Sequence, residues 1–366
     1  MDFFRSSISQ RSIDLVTQAL RAGWVSEGRM VKEFEQTLAT RLGLRSPVAV
    51  NSGTSALHLA LSLAGIGPGD EVILPAQTFV ATGTVILMQR ATPVYADIQP
   101  KTGNIDPESI RTKITPRTKA IMPVHWGGYP CDMDEINAIA AEHGLTVIED
   151  AAHALGATYR GKPVGTISRF TAFSFQAIKH LTTGDGGALC CLEEEDYLQA
   201  LRCRWFGIDR SNSKTTRLGV RDYEGISELG YKYHMNDVAA AIGLGNLEGF
   251  QKTLQRRQTI GTIYRQKLAA VPGLSLLDYQ DDRTHAYWIF TVMVERREDF
   301  VRKMSERGIP TSVVDLRIDR NPIFGGQREE LVNQAWFNDR QIAIPLHDAL
   351  TEADVHTVIE AIRSGW

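Results

Sequence analysis

Four short apolar runs recur in the first half of the chain: Glu71 to Leu74, Pro93 to Ala96, Lys119 to Val124 and Thr146 to Glu149. They are continuous rather than alternating, which is the pattern of strands buried on both faces. The first follows the turn signal Gly67-Pro68-Gly69-Asp70. Between the last two, Met133, Ile136, Ile139 and Ala140 fall on one helical face, with Asp132 placed to cap its start and Gly144 to stop it. Arg169 to Phe173 and the apolar stretch around Cys190 and Cys191 read as further strands. Such repetition predicts an α/β fold with a mostly parallel central sheet flanked by helices.

The pattern changes near residue 245. Leu247 to Leu268 predicts a long helix with a polar face, and Ala286 to Val294 a strand. Arg296 to Arg307 reads as a helix ended by Gly308, and Thr311 to Asp315 as a returning strand. Thr351, with Asp354 three residues on, opens a last helix whose apolar face is Val355, Val358, Ile359 and Ile362. The expected organisation is a large domain over 1–245, including an N-terminal arm, and a smaller α+β domain over 246–366.

Composition narrows the function classes. The 366 residues are 43% hydrophobic and 23% charged, with a formal net charge of −3, so nothing points to nucleic acid or an anionic membrane. The four cysteines form no CxxC pair, and Cys190 and Cys191 read as small core residues. No ligand-pair spacing supports a metal site built from His125, Cys131, Asp150 and His153. The N-terminal residues lack the apolar core of a signal peptide and no run is long enough to span a bilayer, so a cytoplasmic protein is expected.

Chemistry-bearing residues then fall in serial order at the ends of these elements. Asn51-Ser52-Gly53-Thr54-Ser55 opens a helical run, and a glycine turn at a helix start offers free N–H groups to a phosphate. A plain capped helix start would look the same. Phe79, in Pro75-Ala76-Gln77-Thr78-Phe79 just past the first strand, is placed either to stack on a flat cofactor or to fill the core. Asp150 ends a wholly apolar strand, where an acid needs a cationic partner unless it caps a helix. His153 follows three residues on. Ser174 and Lys179 are polar positions at and beyond the end of the next strand. A lysine downstream of such an acid suggests a pyridoxal phosphate (PLP) enzyme. The amine condenses with the cofactor aldehyde, and the carboxylate keeps the pyridine nitrogen protonated.

Together these stretches resemble the DegT/StrS-type sugar aminotransferases, a group of PLP-dependent enzymes of fold type I. The similarity begins at Gly23-Trp24-Val25-Ser26-Glu27-Gly28. It is densest in Ile148 to Ala152 and Ser174 to Gly187, and continues through Gly230-Tyr231-Lys232-Tyr233-His234-Met235-Asn236-Asp237. The resemblance implies that Lys179 is the Schiff-base lysine, Asp150 the pyridinium partner and Phe79 the stacking aromatic. It puts His153 near the ring hydroxyl and Gly53, Thr54, Ser55 and Ser174 at the phosphate. Lys232 matches a position that reaches the phosphate of the neighbouring subunit's cofactor, which implies a homodimer. His180 stands where the family usually has asparagine. In place of a histidine-containing segment the chain has Asp315 to Phe324, where Arg317 and Arg320 either face a substrate phosphate or carboxylate or belong to a solvated loop.

The implied activity is amino transfer from an amino acid, glutamate by resemblance, to a keto sugar, in particular a nucleotide-linked 4-keto-6-deoxy sugar. Its product would serve a surface polysaccharide or an antibiotic. Two other classes stay open: a sugar dehydratase of the same fold, and a non-catalytic regulator. Dehydratases that work from pyridoxamine phosphate carry histidine at the lysine position, so Lys179 speaks against the first.

Overall fold

A computed structural model describes residues 1–210, 217, 219 and 226–366. The strands in chain order are β1 (Pro47–Val50), β2 (Glu71–Pro75), β3 (Thr92–Ala96), β4 (Thr118–Ile121), β5 (Thr146–Asp150), the two-residue β6 (Thr158–Tyr159) and β7 (Lys162–Pro163), β8 (Phe170–Ser174), β9 (Gly187–Cys191), β10 (Leu274–Leu276), β11 (Phe290–Val294) and β12 (Gln341–Ile344). Seven form one sheet in the order β1-β9-β8-β5-β4-β2-β3. Its pairs β2–β3, β2–β4, β4–β5 and β5–β8 are parallel, while β9 runs antiparallel to β8 and β1. The mostly parallel sheet expected from the continuous apolar runs is present. The four cysteines are free and buried, Cys190 and Cys191 within β9.

The helices through this part of the chain are α1 (Gln10–Arg21), α2 (Arg29–Leu42), α3 (Gly53–Leu63), α4 (Val80–Met88) and α5 (Pro107–Lys113), followed by α6 (Met133–His143), α7 (Glu194–Cys203) and α8 (Asp237–Leu268). Helix α6 ends at Gly144 in the left-handed conformation, as its sequence implies. Asp132 precedes it but caps nothing with its side chain, because its carboxylate instead accepts from Gln99 and Arg283.

Helix α8 starts ten residues before the expected Leu247, with the Asn236 side chain accepting from Ala239 N–H. Gly243 and Gly245 hide this start in the sequence, since glycine disfavours helix. Here they serve packing: a Cβ at Gly243 would come within 2.5 Å of the Phe34 ring, and one at Gly245 within 2.3 Å of Ser12. The helix therefore runs unbroken through position 245. Its first half packs with Phe34 and Phe175, and its second half with Tyr287 and Phe290.

Beyond α8 lies a three-stranded sheet of order β10-β11-β12. Two expectations fail here. The run from Ala286 is irregular until Phe290: Tyr287 has φ of 50° and the Ala286 and Trp288 N–H groups bond to Gly128 and Gly127 instead of a strand. Thr311 to Asp315 contributes only an isolated bridge at Ser312, and β12 takes the third place in the sheet. The Asp315 carbonyl is claimed by the side chains of Gln77, just past β2, and Gln341, at the start of β12, which hold that segment between the two sheets. The last helix, α11 when α9 (Arg297–Glu306) and α10 (Val332–Arg340) are counted, spans Glu352–Arg363 and has the Thr351–Asp354 capping box. No helix among the described residues is long and apolar enough to cross a membrane.

Candidate active site

The carboxyl ends of β2, β5 and β8 meet on one edge of the large sheet, the usual ligand edge of open parallel sheets. Asp150, the last residue of β5, is buried there. Its carboxylate accepts from the Thr82 hydroxyl at 2.7 Å and the Ala152 N–H at 3.1 Å. The second bond folds residues 151–154 into a turn rather than the start of a helix. No cation lies within ion-pair distance of Asp150 among the described residues, and burial pushes its carboxyl up from the ordinary value.

Lys179 sits in the loop between β8 and β9, half-buried. Burial brings its amine down to about 7, while the charges of Asp315 and Asp150 pull the other way. Its Nζ lies 3.5 Å from the centre of the Trp288 ring. His153 stacks on the same indole, with centroids 3.8 Å apart and planes 18° from parallel. Burial holds the His153 ring well below its ordinary proton affinity, and its buried Nδ1 has no partner among the described residues. Asp315 completes the charged set: burial lifts its carboxyl to about 6, against the pull of Lys179. Sequence reasoning missed Trp288, which looked like one more strand residue. Asp315 carried a usable signal, an acid ending an apolar run, the same signal that marked Asp150.

The proposed phosphate seat is the start of α3. Ser52 caps it, accepting from Ser55 N–H at 3.0 Å, and the first N–H groups, of Gly53 and Thr54, have no partner within the helix. Gly53 has to be glycine here, since a Cβ would come within 2.8 Å of the Ser174 Cβ. That contact brings the helix start against the end of β8. Ser55 departs from expectation. It is buried, its N–H is taken by Ser52, and its hydroxyl donates to Asn51 at 2.6 Å, so it builds the cap rather than opening to a ligand.

Phe79 is 57% exposed just past β2, which excludes the core alternative. Lys232 is exposed, and its carbonyl accepts from the Asn51 side chain at 3.3 Å, beside the same helix start. His180 anchors the lysine loop. Its Nε2 bonds to the Leu155 carbonyl at 2.8 Å, and burial takes its ring to about 3.

Arg317 is a correction. The guanidinium is buried and grips Asp319 with two bonds, of 2.7 and 2.6 Å, while also donating to the Arg328 carbonyl. It belongs to no solvated loop and presents no exposed face: Nε and Nη2 fold the loop on itself, and Nη1 is buried with no partner among the described residues. Arg320 is exposed.

A helix start suited to an anion, an uncompensated buried carboxylate, an amine near neutrality and an exposed flat ring fit a phosphorylated pyridine aldehyde. Residues 6–363 match the DegT/DnrJ/EryC1/StrS aminotransferase family. The chain is 39% identical to the spore coat polysaccharide biosynthesis protein SpsC of Bacillus subtilis, over 97% of this chain and 94% of that protein. It is 36% identical to the GDP-perosamine synthase of Caulobacter vibrioides, over 95% and 94% of the two chains. The crystal structure of the sugar aminotransferase CalS13 from Micromonospora echinospora superposes with a TM-score of 0.94 at 36% identity, covering 100% of both chains. The PLP-form of Spr1654 from Streptococcus pneumoniae does so with a TM-score of 0.92 at 29% identity, covering 100% of this chain and 98% of that one. The chain belongs to the DegT/DnrJ/EryC1/StrS aminotransferase family and is a PLP-dependent sugar aminotransferase.

Proposed function

We propose that this enzyme takes its amino group from glutamate and delivers it to a nucleotide-linked keto sugar, a 4-keto-6-deoxy sugar, for a polysaccharide or antibiotic amino sugar. The observation that carries the reading is Lys179, an amine near neutrality close to a buried acid that lacks its cation. The GDP-linked sugar in one relative's name and the polysaccharide in another's support the choice of acceptor. Bound PLP supplies an electron sink and an aldehyde that carries nitrogen between the two substrates.

The chain's own residues do the rest. Asp150, held in place by Thr82 and Ala152, would keep the pyridine nitrogen protonated. The Gly53 and Thr54 N–H groups and Ser174 would hold the phosphate, with Ser55 bracing the helix start. Phe79 would cover the ring, and His153 would serve its hydroxyl. Lys179 would hold the cofactor covalently and, when free, its neutral amine at Nζ would accept the proton of the donor α-carbon. Lys232 reaches the phosphate of a second copy, so the working unit is a homodimer with the site between subunits. The two 1–245 and 246–366 portions act as cofactor-binding and substrate-covering domains on the shared helix α8. Arg320, exposed at the rim, is the remaining candidate for the acceptor's charged group.

The test is spectroscopic. Purified enzyme should show the absorbance of lysine-bound cofactor, lose it on adding glutamate, and lack it in Lys179→Ala. Turnover should then appear with one member of a panel of dTDP-, UDP- and GDP-linked keto sugars. No band and no response to glutamate would sink the reading.

A further inference from the structure

The Lys179 amine makes no hydrogen bond or ion pair among the described residues; its one close polar contact is the face of Trp288. That indole is not a passing neighbour. Its Nε1 donates to the Ile178 carbonyl at 3.1 Å, which ties it to the residue just before the lysine. The Trp288 backbone N–H donates to the Gly127 carbonyl at 3.0 Å. Besides His153, Phe4 stacks on it, at 5.6 Å and 19°. Phe4 is itself fixed by the N-terminal segment, where Ser6 donates to the Ala177 carbonyl at 2.7 Å and Asp2 accepts from His347. The irregular backbone before β11 turns Trp288 out of the strand and toward the lysine.

We infer that Trp288 is a positioning residue for Lys179: its face is the seat on which the amine rests whenever it is not bound to the cofactor, and Phe4 and His153 hold the seat. This rests on the amino-transfer reading, in which the lysine lets go and returns in each half-reaction. An ammonium over an indole is attracted by the ring's negative face, and the attraction strengthens away from water. The seat therefore favours the protonated amine against the burial that disfavours it, and fixes where the amine waits. The other charged or titratable groups around Lys179 are Asp150 and Asp315, which favour the proton, and His153 and His180, which border the loop.

The test uses full-length enzyme converted by glutamate to the state with a free lysine. Acetic anhydride labelling of Lys179, read by mass spectrometry against pH, gives the amine's midpoint. Trp288→Leu should lower that midpoint by about half a unit to one unit, so labelling near pH 6 rises roughly three- to fivefold. Trp288→Phe, which keeps a ring face, should retain most of the parent midpoint. An unchanged midpoint in Trp288→Leu, or an equal shift in both variants, overturns the inference. If Trp288→Leu does not fold, Phe4→Leu, which removes a ring stacked on Trp288, decides, with a smaller shift in the same direction expected and no shift counting against it. Failure of the amino-transfer reading shows separately, as no cofactor trapped on Lys179 by borohydride, and the labelling midpoint is readable either way.

Discussion

Glu149 and Asp150 are adjacent on β5, so they face opposite sides of the sheet. Both are buried acids, and their surroundings differ in one respect. The Glu149 carboxylate is filled on every side: His125 Nε2 at 2.8 Å, the Ser168 N–H at 3.1 Å and the Thr171 hydroxyl at 3.0 Å. His125 Nδ1 accepts from the Cys131 N–H, so the proton on Nε2 points at Glu149. Asp150 has two donors and a side left open toward the lysine loop. A buried acid with a complete set of partners is scaffold, and one whose set lacks a cation is where a charged ligand belongs. Asp319 falls on the scaffold side by the same criterion, since its carboxylate takes two bonds from Arg317 and one from the Arg328 N–H.

Breaking each member of this pair should separate the two roles. Glu149→Ala orphans three buried donors, and the expected loss of folding stability is about 3–5 kcal/mol. Denaturant melts should show it, with the folded fraction still binding cofactor. Asp150→Asn should do the reverse. The amide keeps a similar shape but does not hold a proton on the pyridine nitrogen, and kcat should fall roughly a hundredfold to a thousandfold. The melt should hold or improve, because an acid that burial disfavours has gone. Equal stability losses in the two variants would erase the distinction.

The sequence made the scaffold side and part of the site legible for the same reason. Continuous apolar strands announce a buried parallel sheet, and any polar residue at their ends stands out, as Asp150, Ser174 and Lys179 do. Gly53 stood out because a turn precedes a helical run. What stayed hidden was set by long-range contacts. Trp288 reads as strand because nothing local reveals that Gly127 and Gly128 take the backbone bonds of residues 286 and 288. The start of α8 was masked by glycines whose use is to admit Phe34 and Ser12. Arg317 looked free because its partner, two residues on, can be reached only when residues 318–320 turn into a short 3₁₀ helix. Asp315 was lost by treating its segment as a strand, although the rule that found Asp150 applies to it unchanged.

Asp315 offers the finest test of the open side. The amine of Lys179 has to be neutral to take a proton, and burial sets its midpoint at about 7, so the rate should climb as pH rises through that value. Asp315 loses its own proton at about 6, so through the climb it is a carboxylate facing an ammonium. That negative charge holds the proton on Lys179 and delays the climb. Asp315→Asn removes the charge at nearly constant shape, so the ammonium loses support and the rising limb should move to lower pH. The expected move is a fraction of a unit, at most about one, as suits two charges partly screened by water. The same substitution leaves the Gln77 and Gln341 bonds in place, because both go to the Asp315 backbone carbonyl. A limb that moves to higher pH, or a stability loss without any shift, would mean that Asp315 belongs with Glu149 on the scaffold side.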